Sequence, residues 1–344
     1  MKRFFIPIIA LIVCACQNSD KVVLENNLLR LTFDRATANL VSMTDLKTGY
    51  EYLDSTTEPK CLWELVPMEK GTEFDLPTEV SVCSWSKRKA VLKWRQADGE
   101  GVEVTATISL DKEKALSYWD IALEGFEGDK LMEVNYPRVS NIKAFTEEEL
   151  ALSNWTGRLY KNIRAKRKVL EQRKQNRPTM QLTALYGTEP SGLYIASNDT
   201  ESMAKGSFFG FEDNTTTYNM VYMLPVDKAN SSFKSSYQTI LGAFQGNWYD
   251  AAQIYREWAL QQEWNKNNHS PRLTVDATVV GRRDHRSRSG QNHMTHTTYY
   301  ITFQVESGDR MELHVPSHEY GYIIEGDHGK LTFQGTRFLS FERT

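Results

Sequence analysis

Val102-Glu103-Val104-Thr105-Ala106-Thr107-Ile108-Ser109-Leu110 alternates apolar with polar residues over nine positions. A β-strand turns successive side chains to opposite faces, so this period of two describes a strand with one face buried and one wet. The same beat occurs upstream at Leu29, Leu31 and Phe33, and again around Val91 and Trp94. Further β-rich runs lie at 80–85, 117–123, 181–186, 192–197, 217–223 and 237–242, punctuated by turn formers such as Asp98-Gly99 and Pro190-Ser191-Gly192. Strands and turns repeating over more than half the chain predict a large antiparallel sandwich. They do not show the strand–helix alternation of a parallel α/β fold.

Working outward, one amphipathic helix stands out. Asn247-Trp248-Tyr249-Asp250 resembles a capping box with Asp in place of Glu, and Ala251, Ala252, Tyr255, Trp258 and Ala259 then fall on one face. The stretch Arg158 to Arg177 holds nine Lys or Arg and a single acid, Glu171. It predicts a second, solvated basic helix or loop, closed off by Pro178.

The tail differs in composition. All seven histidines lie in residues 269–344, and the basic residues shift from 12 Arg and 20 Lys before that point to 8 Arg and 1 Lys after it. Such a break predicts two joined units, meeting in Asn265-Lys266-Asn267-Asn268-His269-Ser270-Pro271. A natural fusion and a joint made in gene assembly both fit it. Residues 21–246 are thus read as the sandwich, 247–271 as helix and linker, and 272–344 as a small β domain. In that tail Ile301, Phe303 and Val305 alternate, as do Met311, Leu313 and Val315. Pairing them predicts 305 opposite 311, 303 opposite 313 and 301 opposite 315, across Ser307-Gly308-Asp309. Further strands are expected at 320–325, 330–333 and 337–342, enough for a compact barrel whose closure removes exposed edges.

The first 20 residues read as an export signal. Lys2 and Arg3 precede a ten-residue apolar run, Phe4 to Val13, too short to span a bilayer as a helix. Val13-Cys14-Ala15-Cys16 then resembles a bacterial lipobox, with Cys16 as the acylated residue because small Ala15 precedes it. Each buried CH₂ of an acyl chain adds about 0.8 kcal/mol of membrane affinity, so the expected location is the bacterial cell envelope, lipid-anchored. Export also permits a disulfide between Cys61 and Cys83, although two free, buried thiols are the expectation. A net charge of −3 gives no global attraction to nucleic acid.

Four passages resemble the N-terminal part of a family of bacterial glycoside-hydrolase-like proteins of unknown function, related to endo-α-N-acetylgalactosaminidase-type enzymes. They are Val22–Asp34 with Thr48–Leu53, Met180–Gly187, Gly192–Asp199 and Gly246–Ala259. The resemblance implies a galactose-mutarotase-like β-supersandwich. In that family a catalytic TIM barrel follows the helix, whereas 80 residues follow Trp264 here. A (β/α)₈ barrel takes about 250, so the barrel is expected to be missing and no catalytic residue is carried over. The tail is similar to a second family of unknown function through Tyr299–Phe303, Glu306–Leu313 and Gly326–Arg337. That family implies a small β fold with a membrane-proximal habit.

Glycoside hydrolysis needs two carboxyl groups about 5–10 Å apart across a cleft. Glu133, Glu147, Glu148, Glu149 and Asp199 are candidates by type, but Glu147–Glu149 reads as a solvated surface run and Glu133 as one half of a structural ion pair. Sugar binding needs exposed rings beside planar polar groups. Asn154-Trp155-Thr156-Gly157-Arg158-Leu159-Tyr160 offers both, making Trp155, Arg158 and Tyr160 the candidate carbohydrate contacts. His293 and His296 lack Cys or carboxylate companions at ligand spacing, so no metal is expected. No phosphate-cradling loop or Gly-x-Ser-x-Gly elbow occurs, and no cofactor is expected. The leading expectation is an envelope-anchored carbohydrate-binding or accessory module. A glycoside hydrolase, as a fragment or with a site in the sandwich, is one alternative, and a ligand-free structural envelope protein another.

Overall fold

The computed structural model describes residues 20–69, 77–98, 101–154, 156–173, 178–288 and 295–344. The leader with Cys16, the turn residue Gly99, Trp155, residues 174–177 of the basic stretch and His293 lie outside them.

The chain is mainly β. Lys21–Glu25, Leu29–Asp34, Leu40–Asp45 and Tyr50–Glu51 form a four-stranded antiparallel sheet in chain order. The large sheet runs Arg158–Lys161, Glu149–Asn154, Pro178–Tyr186, Gly192–Ser197, Thr239–Phe244, Leu116–Glu124, Glu103–Leu110, Lys89–Arg95, Glu79–Trp85. Opposite it stands a five-stranded sheet, in the order Val169–Arg173, Lys205–Phe211, Thr215–Met223, Leu131–Lys143, Glu64–Pro67. The alternation in Glu103–Leu110 does what its period requires. Val104, Ala106, Ile108 and Leu110 are buried and their neighbours are not.

One continuous core fills the space between the sheets, with Trp119, Tyr136, Tyr218, Phe33 and Phe209 among its fully buried side chains. Polar residues inside are tied down. Asn26 donates to the carbonyls of Asp111 and Lys114 and accepts from the amides of Leu28 and Leu29, so both ends of its amide are satisfied.

The outer face of the large sheet carries a second apolar layer, Leu182, Ala184, Tyr186, Tyr194 and Phe244, which the helix Trp248–Ala259 covers with Ala251, Tyr255 and Ala259. The expected capping box forms. Asn247 Oδ1 accepts from the Tyr249 amide at 2.8 Å, and Asp250 Oδ2 accepts from the Asn247 amide at 2.9 Å.

A short helix, Glu263–His269, leads to a closed barrel of Arg272–Arg288, Thr295–Val305, Arg310–Val315, Arg337–Arg343 and His328–Gln334. Its core holds Val279, Ile301, Phe303, Leu313, Val315 and Leu331.

Several expectations are corrected. The stretch after Arg158 is not a helix. Arg158–Lys161 pairs with Glu149–Asn154 and Val169–Arg173 with Lys205–Phe211, leaving one helical turn at Ile163–Lys166. Lys and Arg favour helices locally, but the ladder bonds of two sheets outweigh tenths of a kcal/mol of propensity. The tail hairpin is two residues out of the expected register, with Phe303 opposite Met311 and Ile301 opposite Leu313. The Gly308 amide bonds to the Val305 carbonyl and Val305 N to the Asp309 carbonyl, so the three-residue loop is 306–308, one residue earlier than expected, and a shift of two in the pairing keeps every side chain on its face. Ser317–Tyr322 is a helical turn where a strand was expected. Cys61 and Cys83 are free as expected, but Cys83 is exposed and Cys61 only partly buried.

Candidate functional site

The hairpin predicted to meet sugar lies at an edge of the large sheet. Its turn is closed by the Gly157 amide donating to the Asn154 carbonyl at 3.0 Å, with Gly157 at φ 91°. That left-handed conformation favours glycine over any residue with a Cβ. On the other side the strand Glu149–Asn154 pairs with Pro178–Tyr186 irregularly. Leu152 faces Thr183, yet Asn154 faces Pro178, so residues 179–182 bulge out opposite Ser153 alone. The Ser153 hydroxyl pins this bulge by donating to the Met180 carbonyl.

The bulge opens a cleft of about 390 Å³. Ala151, Met180, Leu182 and Ala184 line it together with Leu159 of the hairpin and Trp248 and Ala252 of the helix. Thr156 and Arg158 add polar groups. Trp248 is 48% exposed although it begins a helix packed on the sheet, and Leu159 is 42% exposed. The Arg158 side chain is solvent-facing and makes no hydrogen bond or ion pair among the described residues. No carboxylate lines the cleft among the described residues.

The sequence candidates are thus separated. Arg158 lines the cleft, Tyr160 is half-buried and packs on the main core beneath the hairpin, and Trp155 lies outside the described residues. Trp248, Leu159 and the Met180–Leu182 bulge were not foreseen. The signal for Trp248 was its place one helical turn before Ala252, at the edge of the helix's buried face.

The carboxylates have structural roles. Glu148 is not solvated as its run suggested. It is 3% exposed, and its Oε2 accepts from Arg164 at 3.0 Å and from the Phe145 amide at 3.2 Å. Arg164 also donates to Thr216 Oγ1 and the carbonyls of Glu212 and Thr215. Glu149 takes Lys161 at 2.7 Å and the Tyr186 hydroxyl at 2.7 Å. Hydrogen bonding by Lys161, then by Tyr186, holds the Glu149 carboxyl below the usual range. Asp199 is buried and ion-paired with Lys205, whose ammonium sits 4.4 Å from the Tyr237 ring centroid. Burial pulls the Lys205 ammonium below the ordinary lysine range against the opposing effect of Asp199. Glu133 is buried within Leu131–Lys143. No group of three metal-ligating side chains occurs among the described residues.

Residues 252–342 match the model of a protein family of unknown function, DUF2500. A solved protein from Proteus penneri is 26% identical over 21% of this chain and 98% of its own, with a TM-score of 0.19. The α-N-acetylgalactosaminidase NagBb of Bifidobacterium bifidum, solved with GalNAc, is 11% identical over 73% of this chain, with a TM-score of 0.53. The chain spans 41% of the length of NagBb. A putative aldose 1-epimerase of Escherichia coli K12 is 8% identical over 66% of this chain and 99% of its own, with a TM-score of 0.44. No curated protein matches the chain. The large unit is a β-sandwich that shares its fold with part of NagBb, and at this identity the likeness concerns fold alone.

Proposed function

We propose that the chain is an envelope-anchored carbohydrate-binding or accessory module, non-catalytic, with a glycan seated in the cleft beside Trp248. The observation carrying this reading is a half-exposed Trp248 and an unpaired Arg158 lining one cleft that holds no carboxylate among the described residues. A sugar's apolar face stacks on an indole, and a guanidinium fork bonds neighbouring hydroxyls. Trp155 stays a proposed sugar contact by residue type alone, and Tyr160 supports the hairpin from the core side. The apolar floor of Ala151, Met180 and Leu182 suits a methyl-bearing substituent. The fold shared with an enzyme solved with GalNAc supports a saccharide as ligand. Cys16 is the proposed lipid anchor, and a Cys16→Ser change is expected to release the protein from membranes.

A second reading, a glycoside hydrolase fragment, is favoured by the chain spanning 41% of NagBb. Binding to a glycan panel, with aryl-glycoside turnover measured alongside, tests both. Saturable binding without turnover, weakened about tenfold or more by Trp248→Ala, supports the module. Turnover abolished by one Glu or Asp change supports the hydrolase. Neither signal means a structural protein without ligand.

A further inference from the structure

The outer face of the five-stranded sheet, away from the cleft, carries a band of polar side chains one residue wide. Glu171 pairs with Phe208, Phe208 with Asn219, and Asn219 with Arg138 across three ladders, while Asn135 pairs with Glu64 on the far strand. In a regular strand Asn135 and Arg138, three residues apart, would point to opposite faces. The irregularity between them adds a residue and puts both on the outer face, where both line the same groove of about 510 Å³. Gly210 beside them leaves room for the Phe208 ring, since a Cβ there would come within 3.2 Å of it.

The groups in this groove are held in place but not satisfied. Glu64 accepts from Asn135 Nδ2 at 2.9 Å and lies 3.5 Å from Arg138 Nη1. Asn135 Oδ1, Asn219 Oδ1 and Arg138 Nε are nevertheless buried without a hydrogen-bond partner. Asn135 is 8% exposed and Asn219 5%. Folded proteins rarely leave such groups unpaired, because each forfeits its bonds to water. Two unpaired acceptors next to an unpaired donor call for a ligand whose groups both give and take hydrogen bonds, as hydroxyls do. The charges lining the groove balance, Lys60, Arg138 and Lys168 against Glu64, Glu171 and Glu212, which disfavours a strongly charged ligand. Phe208 offers an apolar face.

We infer that this groove is a second binding site, for a neutral saccharide of one or two rings, separate from the cleft at Trp248. The inference takes its ligand class from the proposed function and its place from the unpaired groups.

Calorimetric titration of the full chain with neutral mono- and disaccharides tests it, using wild type, Asn219→Leu, Phe208→Leu and the cleft double variant Arg158→Ala/Trp248→Ala. Asn219→Leu is expected to weaken the groove site by about tenfold or more, and Phe208→Leu, which spares the buried amides if Asn219→Leu misfolds, by about threefold to tenfold. The cleft double variant is expected to keep this site. If groove variants titrate like wild type while the cleft variant loses all binding, the second site is refuted and the proposed function stands. If groove variants alone abolish binding, the second site stands and the cleft is refuted. No saccharide binding by wild type refutes both.

Discussion

Replacing Arg164 by alanine is the sharpest structural test. Its guanidinium donates to Glu148 Oε2 at 3.0 Å, Thr216 Oγ1 at 2.5 Å, and the carbonyls of Glu212 at 2.7 Å and Thr215 at 2.6 Å. Four charge-assisted bonds would sum to about 6–12 kcal/mol if each were worth about 1.5–3, but bonds to one group are not additive. The governing term is Glu148, a carboxylate 3% exposed that would lose its ion partner. Breaking a buried pair on one side costs about 3–5 kcal/mol. For a unit of this size, about 2–4 °C per kcal/mol gives a melting shift of roughly 6–20 °C. All eight tryptophans precede residue 272, so tryptophan fluorescence follows the sandwich without the barrel. Removing both charges, as Glu148→Leu/Arg164→Met, should recover much of the loss, because no uncompensated charge then stays inside. A single variant melting within about 2 °C of wild type, less than 1 kcal/mol, would refute the reasoning.

Other outcomes follow from the same geometry. Asn247→Ala removes one side of the capping box and should cost the helix about 1 kcal/mol in urea unfolding, with Asn247→Asp restoring most of it. Thiol labelling should be biphasic, with Cys83 fast and Cys61 slow, since Cys61 is partly buried and burial raises its thiol pKa. Burial pushes Tyr50 up to about 12 from an ordinary 10.0, and raises Tyr136, Tyr218 and Tyr222 further. Raised acids favour the fold while neutral, so this stability is complete below pH 10 and is lost as pH climbs towards 12. The buried tyrosines should therefore ionise only together with unfolding, after the exposed Tyr249 and Tyr322, and ionisation of all sixteen tyrosines in the still-folded protein would contradict it.

Much of the architecture was legible in the residues. The period-two runs gave the strands, and Asn247 to Ala259 gave the helix and its buried face, because both signals are local and repeat with the element's own geometry. Histidine and lysine usage marked the change of composition before the barrel. Acidic and basic runs misled, since charge density says solvent until a partner is known. Glu148 and Arg164 are 16 residues apart, and the carbonyls that complete the Arg164 site come from around residues 212–215.

The binding surfaces divide the same way. Arg158 could be singled out by residue type and a nearby glycine, whereas the cleft it lines needs a bulge in one strand and a helix from residue 248. The polar band on the smaller sheet is scattered over five strands between residues 64 and 219 and gathers only through their ladders. Sequence alone determined the period-two strands and the one amphipathic helix, and which face of each would be buried, because those depend on side chains a few positions apart. Tertiary structure decided which charges are buried and where a ligand could sit, because both depend on groups that only the pairing of distant strands brings within a few ångströms.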